Sequence, residues 1–278
     1  MFTHTPKNGP SHPANLLIRA AAGIFLAFLL LPLLALGATT TPAELFAALK
    51  DPLVWPAVRI SILTTAISFA ITLLFGTPLS WLLARSRSRW ARAFESLLEL
   101  PIVLPPAVIG VALLMAYGRR GWLGGFFDTL GWSPGFSLSA VIFAQLVVAA
   151  PFFIQSATAA FRQVDDELLI VARTLGASPM RTFMRVAVPL ALPGLLNGAA
   201  LMWARALGEF GATLFFAGNL SGHTQTMPLA IYSALESDLR VAQAMSVLLV
   251  AVAILLLSAL RGPIAARFGP YRPQGEPA

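Results

Sequence analysis

The sequence predicts an all-α membrane protein with six transmembrane helices and both termini on the cytoplasmic side. Three observations carry this. Of 278 residues, 57% are apolar and 11% are charged, against about 45–50% and about 25% in soluble domains. Six runs are apolar enough to cross a bilayer, which takes about 20 residues. The basic residues then fall mainly on one side of those runs. There is no cysteine, which excludes disulfide scaffolds, thiolate metal sites and Cys nucleophiles.

Residues 1–15 contain nothing that packs, and are expected to form a disordered cytoplasmic tail. The first span is 16–36. Its apolar stretch exceeds the 7–15 residues of a secretory signal core, so it reads as a retained helix. A core of residues 55–262 follows. Its spans are expected at 57–83, with Arg59 near the start, and at 100–117, uncharged but carrying Pro101, Pro105 and Pro106. The next is 136–161, with Pro151 inside. A cytoplasmic loop, 162–185, leads to a fifth span at 186–206, which continues past Arg205 and Glu209 to about Phe216. The sixth span is 241–260, and residues 263–278 form a second cytoplasmic tail.

Net charge is +7, from 19 Lys+Arg against 12 Asp+Glu. In a soluble chain that excess points to nucleic acid. Here it sorts by side, and no nucleic-acid partner is expected. With the N-terminus inside, 13 basic residues are cytoplasmic, five (Lys50, Arg59, Arg119, Arg120 and Arg240) are outside, and Arg205 lies in a span. That bias sets the orientation.

The chain cannot hydrolyse ATP by a P-loop. That motif needs a Lys after Gly and before Ser or Thr, and the two lysines, Lys7 and Lys50, follow Pro6 and Leu49. The three histidines, His4, His12 and His223, make no HExxH helix. Ser221 and His223 lie two apart in a Gly-containing loop without an orienting third group, which reads as outer-surface polarity. No catalytic residue and no metal site is expected.

Hydroxyls and amides recur inside the spans: Ser61, Thr64, Thr65, Ser68 and Thr72, then Gln145, Gln155, Ser156 and Thr158. Such groups hold helices together in membranes, or line a polar path. Arg205 and Glu209 are four apart, so on a helix they share a face and can pair. They are a structural pair or a gate. The run Gly208–Thr213, with Gly211, reads as an irregular end or a helix that folds back. Backbone of that kind is tolerated at membrane depth only inside protein or beside a cavity.

The 162–185 loop reads as two short amphipathic helices around a break. Asp165 caps the first, with acids in its first turn. Leu168, Leu169, Ala172 and Leu175 recur at helical spacing. Gly176 suits a left-handed helix end. Ser178 then caps the second helix, with Pro179 at its first position. Arg181 and Arg185 share a face. Such an element between spans is a docking knob or an interfacial helix pair lying on lipid.

The loop resembles the conserved cytoplasmic EAA loop of type I ABC importer permeases. The matching residues are Ala172, Gly176-Ala177, Phe183, Val186, Val188-Pro189-Leu190 and Pro193-Gly194; Ile170-Val171 stand where the family has Glu-Ala. Three stretches are similar to the molybdate permeases of that family: Leu97–Gly110, Trp203–Asn219 and Thr224–Tyr232. Sulfate permeases share the Gly208–Ala212 element. The resemblance implies a type I ABC importer permease fold and a place in the bacterial inner membrane. It implies a homodimer, a separate cytoplasmic ATPase that uses ATP and Mg, and a periplasmic oxyanion-binding protein. The cargo is a tetrahedral oxyanion, molybdate first, with tungstate and sulfate or thiosulfate as alternatives. Ala172, Leu175, Gly176, Ala177, Ser178, Pro179 and Arg181 are then the ATPase-coupling residues. Arg205, Glu209, Gly211, Thr213 and Asn219 are the pore or gate residues. The competing class is a secondary anion transporter that uses Glu209 and needs no ATPase.

Overall fold

The structure, a computed structural model, describes residues 12–268. It is helical throughout, with no strand among the described residues. Helix α1 spans His12–Thr39, so it takes in part of the expected disordered tail. Residues 1–11 of that tail, and 269–278 of the C-terminal one, lie outside the described residues. No side chain in the membrane-length part of α1 is buried. An apolar helix with no protein cover is what lipid solvates.

A short helix, α2 (Pro42–Ala48), is closed by a capping box between Thr41 and Glu44. The Thr41 backbone N–H and hydroxyl both donate to the Glu44 carboxylate, holding it below the usual carboxylate range. Helix α3 runs Val54–Arg85 with a π-helical turn at Thr72–Gly76. Pro78 follows that turn. The widened turn moves a carbonyl away from the proline ring, which would otherwise collide with it.

The expected third span is not one helix. Arg89–Val103 (α4) and Pro106–Tyr117 (α5) meet at 116°. Leu104 and Pro105 are extended, with ψ of 140° and 132°. Each precedes a proline, and proline drives the residue before it out of helical space. Twelve residues of α5 reach only about 18 Å, short of the roughly 30 Å hydrocarbon core. The described residues thus hold five helices of membrane-spanning length, or six spans if this bent pair counts as one.

After α6 (Gly124–Thr129) comes α7 (Leu138–Arg162), the central helix, with Ala144, Val148, Phe153, Ala157 and Phe161 fully buried. Helix α8 is Asp166–Thr174. Helix α9 runs Pro179–Leu207, again with a π-helical turn, Phe183–Ala187, just ahead of Pro189. The second helix expected in the 162–185 loop is therefore the first turn of the span itself. Helices α10 (Gly211–Ala217), α11 (Met227–Ser237) and α12 (Leu239–Phe268) complete the chain. Helix α12 extends into the expected second tail.

The crossing of α7 and α9 organises the bundle. A Cβ on Gly194 would stand 2.4 Å from the Ala160 Cβ, and one on Gly198 would stand 2.8 Å from the Ser156 Cβ. Gly194 and Gly198 thus face Ser156 and Ala160, small residues four apart on both helices. Without a hydrophobic drive between helices in lipid, such close backbone approach supplies the packing energy. The Ser156 hydroxyl donates to the Gly194 carbonyl at 3.0 Å across the crossing. Around it lie Phe153, Phe161, Ala199 and Met202, all buried. Helix α3 is held to α7 by amide and hydroxyl groups: Ser68 donates to Gln145 Oε1 at 3.0 Å, and Gln145 Nε2 donates to the Thr64 hydroxyl at 3.1 Å. These groups act as helix glue.

Replacing Gly194 by Val should cost about 1–3 kcal/mol through overpacking and lower the thermal midpoint of the detergent-purified chain. Gly194→Ala should be partly rescued by Ala160→Gly. An unchanged midpoint for Gly194→Val contradicts the close crossing.

Candidate functional site

Two places collect the residues singled out from sequence, one at each end of α9. The first is the exposed element between α7 and α9. Asp165 accepts the Glu167 N–H at 2.9 Å and caps α8, with Asp166 and Glu167 in the first turn. At the other end Gly176 has φ +87°. The Ala177 N–H reaches the Ala172 carbonyl at 3.0 Å, and the Gly176 N–H reaches that of Arg173 at 2.9 Å. This pair of bonds is the Schellman motif, which needs a left-handed residue at the Gly176 position. Ser178 then accepts the Arg181 N–H at 3.3 Å, and Pro179 opens α9.

The helical apolar stripe of α8 is mostly not buried. Leu169 is inserted into the bundle and Ala172 is half-buried, but Leu168 and Leu175 stand in the open. Leu175 is 83% exposed, and Ile170, Val171, Met180 and Met184 are exposed beside it. Arg181 and Arg185 are exposed as well. An apolar tip of this kind, rimmed by charge, marks an interaction surface.

Arg85, read from sequence only as a loop charge, fastens this element to the bundle. Its guanidinium donates to the Phe161 carbonyl at 2.8 Å, in the last turn of α7, and to the Val164 carbonyl at 2.9 Å, just beyond that helix. It also pairs with Asp166 at the start of α8, and lies over the Trp81 ring at 4.7 Å. Trp81 in turn packs on Phe161 and Phe183, with centroids 5.4 Å apart in each case. One side chain thereby ties the ends of α3, α7 and α8 together. No local signal reveals this, because Arg85 and Asp166 are 81 residues apart. A second pair, Arg162–Glu95 at 2.8 Å, joins α7 to α4.

The second place is the break after α9. The helix stops at Leu207, and Glu209 sits in the break, its side chain fully buried. Arg205 Nη1 donates to Glu209 Oε2 at 2.8 Å, and the Ala212 N–H donates to Oε1 at 2.7 Å. Both carboxylate oxygens are therefore engaged. Helix α10 lies against α5 without clearance: a Cβ on Gly110 would stand 2.8 Å from the Ala212 carbonyl oxygen, and one on Gly211 would stand 2.9 Å from the Pro106 Cβ. Thr213 is fully buried, and its hydroxyl has no partner among the described residues. The fifth span, expected to run on to about Phe216, is thus broken, and α10 packs against the kinked α4–α5 pair.

Asn219 does not join that group. Its Nδ2 donates to Ser233 at 2.9 Å, and its Oδ1 accepts from Gln225 Nε2 at 2.9 Å. These bonds fasten the loop after α10 to α11. Sequence reasoning also passed over Asn197, exposed on α9 one residue before Gly198. An amide uncovered at mid-helix is the available signal. Among the described residues no group of three or more His, Cys, Asp and Glu side chains is placed to hold a metal ion.

The profile described as "Binding-protein-dependent transport system inner membrane component" matches residues 76–269. The "Molybdenum transport system permease protein ModB" of Mycobacterium tuberculosis is 42% identical over 88% of this chain and 92% of its own. The "Molybdate/tungstate transport system permease protein WtpB" of Pyrococcus abyssi is 41% identical over 61% of this chain and 63% of its own. A crystal structure of a bacterial alginate ABC transporter, with an alginate pentasaccharide-bound periplasmic protein, superimposes with a TM-score of 0.70. It covers 92% of this chain and 95% of the other at 14% identity, a likeness of fold. Fold and site together define the transmembrane component of an ABC importer. The chain belongs to the family of binding-protein-dependent transport system inner membrane components.

Arg85→Ala should remove the guanidinium donor from the Val164 carbonyl and leave the Phe161 carbonyl with backbone N–H donors alone. An unmade buried hydrogen bond costs about 1–3 kcal/mol. Faster hydrogen exchange is expected in residues 164–170, with α7 and α9 protected. Unchanged exchange there contradicts the fastening role.

Proposed function

We propose that this chain is the permease of an ATP-driven importer for a tetrahedral oxyanion, with molybdate as its cargo. The observation that carries the reading is the exposed tip around Gly176, shaped by a Schellman turn and fastened by Arg85. The substrate class rests on the similarity to ModB of Mycobacterium tuberculosis across most of both chains. Tungstate is the second cargo, on the similarity to WtpB of Pyrococcus abyssi.

In this reading both termini are cytoplasmic, two copies form one path, and a separate ATPase binds below. A periplasmic binding protein delivers the anion from outside. Ala172, Leu175, Gly176, Ala177, Ser178, Pro179 and Arg181 form the face that enters the ATPase. ATP and Mg act on that partner, because neither lysine of this chain sits in a P-loop. Helix α9 connects the two places: Pro179 lies at the tip and Leu207 beside the break. Displacing one end of a rigid helix displaces the other. The gate is the break itself, with Arg205, Glu209, Gly211 and Thr213, while Asn219 fixes the loop that follows. A conformational change is driven only by a partner that binds the two states unequally; here that partner is the ATPase pair.

The geometry disfavours a secondary transporter run by Glu209. Its carboxylate already accepts from Arg205 and from the Ala212 N–H. Protonation would break the charge pairing that closes the span.

At φ +87° a β-branched side chain costs about 1–2 kcal/mol, whereas Asn visits that region readily. In proteoliposomes with ATPase and binding protein, Gly176→Val should assemble and hydrolyse ATP but transport molybdate poorly. Gly176→Asn should keep most of the rate. Full transport by the Val variant contradicts the docking assignment. Thr213→Val, which removes a hydroxyl at equal volume, should slow transport without loss of assembly; an unchanged rate removes Thr213 from the gate.

A further inference from the structure

The arginines Arg85, Arg162 and Arg205 each meet a carboxylate. Arg59 does not. It lies on the second turn of α3, exposed at the groove, and has no acidic or hydrogen-bonding partner among the described residues. It lines a groove of about 680 Å³ between the start of α3, the start of α7 and the loop after α10. Trp55, Ile60, Leu63 and Leu138 form apolar walls, and His223 stands on the loop side.

The loop that carries His223 is held in place. Gly222 turns it with φ +76°. The Leu220 carbonyl accepts the N–H groups of His223, Thr224 and Gln225 at 3.1, 2.9 and 3.1 Å. Just beyond, the Met227 N–H donates to the Ser61 hydroxyl at 2.8 Å, two residues along α3 from Arg59. The groove therefore presents the exposed Arg59 guanidinium opposite a fixed loop that carries the exposed His223 imidazole. An exposed guanidinium without a carboxylate partner attracts an anion, and its fork of donors matches tetrahedral oxyanions.

We infer that this groove is a landing subsite for a tetrahedral oxyanion, held by Arg59 and His223. The inference rests on the anion-import reading and deepens it. On that reading the groove opens at the end away from Gly176, the side from which the anion arrives. A weak cationic site there concentrates the anion, and releases it again because a single Arg does not enclose it. The phosphate of an anionic lipid offers the same chemistry, so the test separates the two.

The probe is molybdate, titrated into the full permease–ATPase complex in nanodiscs of zwitterionic lipid, without binding protein. Trp55 lines the groove and reports occupancy by its fluorescence. The expected result is a saturable change that Arg59→Gln weakens by about tenfold, the scale of one charged hydrogen bond. His223→Ala should weaken it less, and Trp55→Phe should abolish the signal. Phosphatidylglycerol in the nanodisc should compete. No saturable molybdate response, or one indifferent to Arg59→Gln, overturns the inference. A response to phosphatidylglycerol alone overturns it too, by assigning the groove to lipid. Transport by the wild-type assembly is measured in parallel. If wild type imports molybdate and Arg59→Gln does so with the same KM, the subsite fails while the importer reading stands. If wild type does not import it, the importer reading itself fails.

Discussion

The close crossing of α7 and α9 is the constraint on which the rest depends. Gly194 and Gly198 bring the two backbones together over Ser156 and Ala160, with no room for a single added methyl. That crossing fixes where both ends of α9 lie. One end emerges at Pro179 beside the Gly176 turn; the other stops at Leu207, where Glu209 closes the break. Helix α7 is the central fixed element, half of its spanning length buried. Helix α3 approaches it less tightly at Gly76, where a Cβ would stand 3.1 Å from the Phe153 ring.

Proline shapes the chain in two different ways. At Pro78 and Pro189 the helix continues with a π-helical turn just ahead of each, and it also continues through Pro101, Pro151 and Pro193. At Pro105 and Pro106 there is no such turn, and the chain bends by 116° instead. The bend produces α5, too short to cross a membrane alone. It lies against α10, another short helix, and the two fragments fill the region beside the Arg205–Glu209 pair. At the break Glu209 is buried, while Gly208 beside it is exposed.

Local features were legible in the sequence. The caps at Asp165 and Ser178, the left-handed Gly176 and the i,i+4 pairing of Arg205 with Glu209 all follow from spacing within a few residues. The apolar runs were legible too, because lipid demands them. Features that depend on distant partners were not. Arg85 looked like one more basic residue until the end of α7 came within its reach. Gly194 and Gly198 look like weak helix formers until the facing Ser156 and Ala160 are known. The 100–117 run kept a spanning composition although its prolines forbade a single helix. Asn219 read as a pore or gate residue, because its partners Ser233 and Gln225 reach it only through the turn at Gly222.

The central claim is that α9 moves as one rigid body between the ATPase and the gate. The chain has no native cysteine, so spin labels can be placed in pairs without background. Arg181 and Ala204 are exposed positions near the two ends of α9. Electron–electron distance measurements on the reconstituted complex, with and without ATP, give the direct test. If α9 moves as one body, the distance between labels at 181 and 204 within one chain stays constant, while the 181–181 distance between the two copies changes. A 181–204 distance that shifts with ATP would show that α9 bends, most readily at its π-helical turn, and would contradict the account.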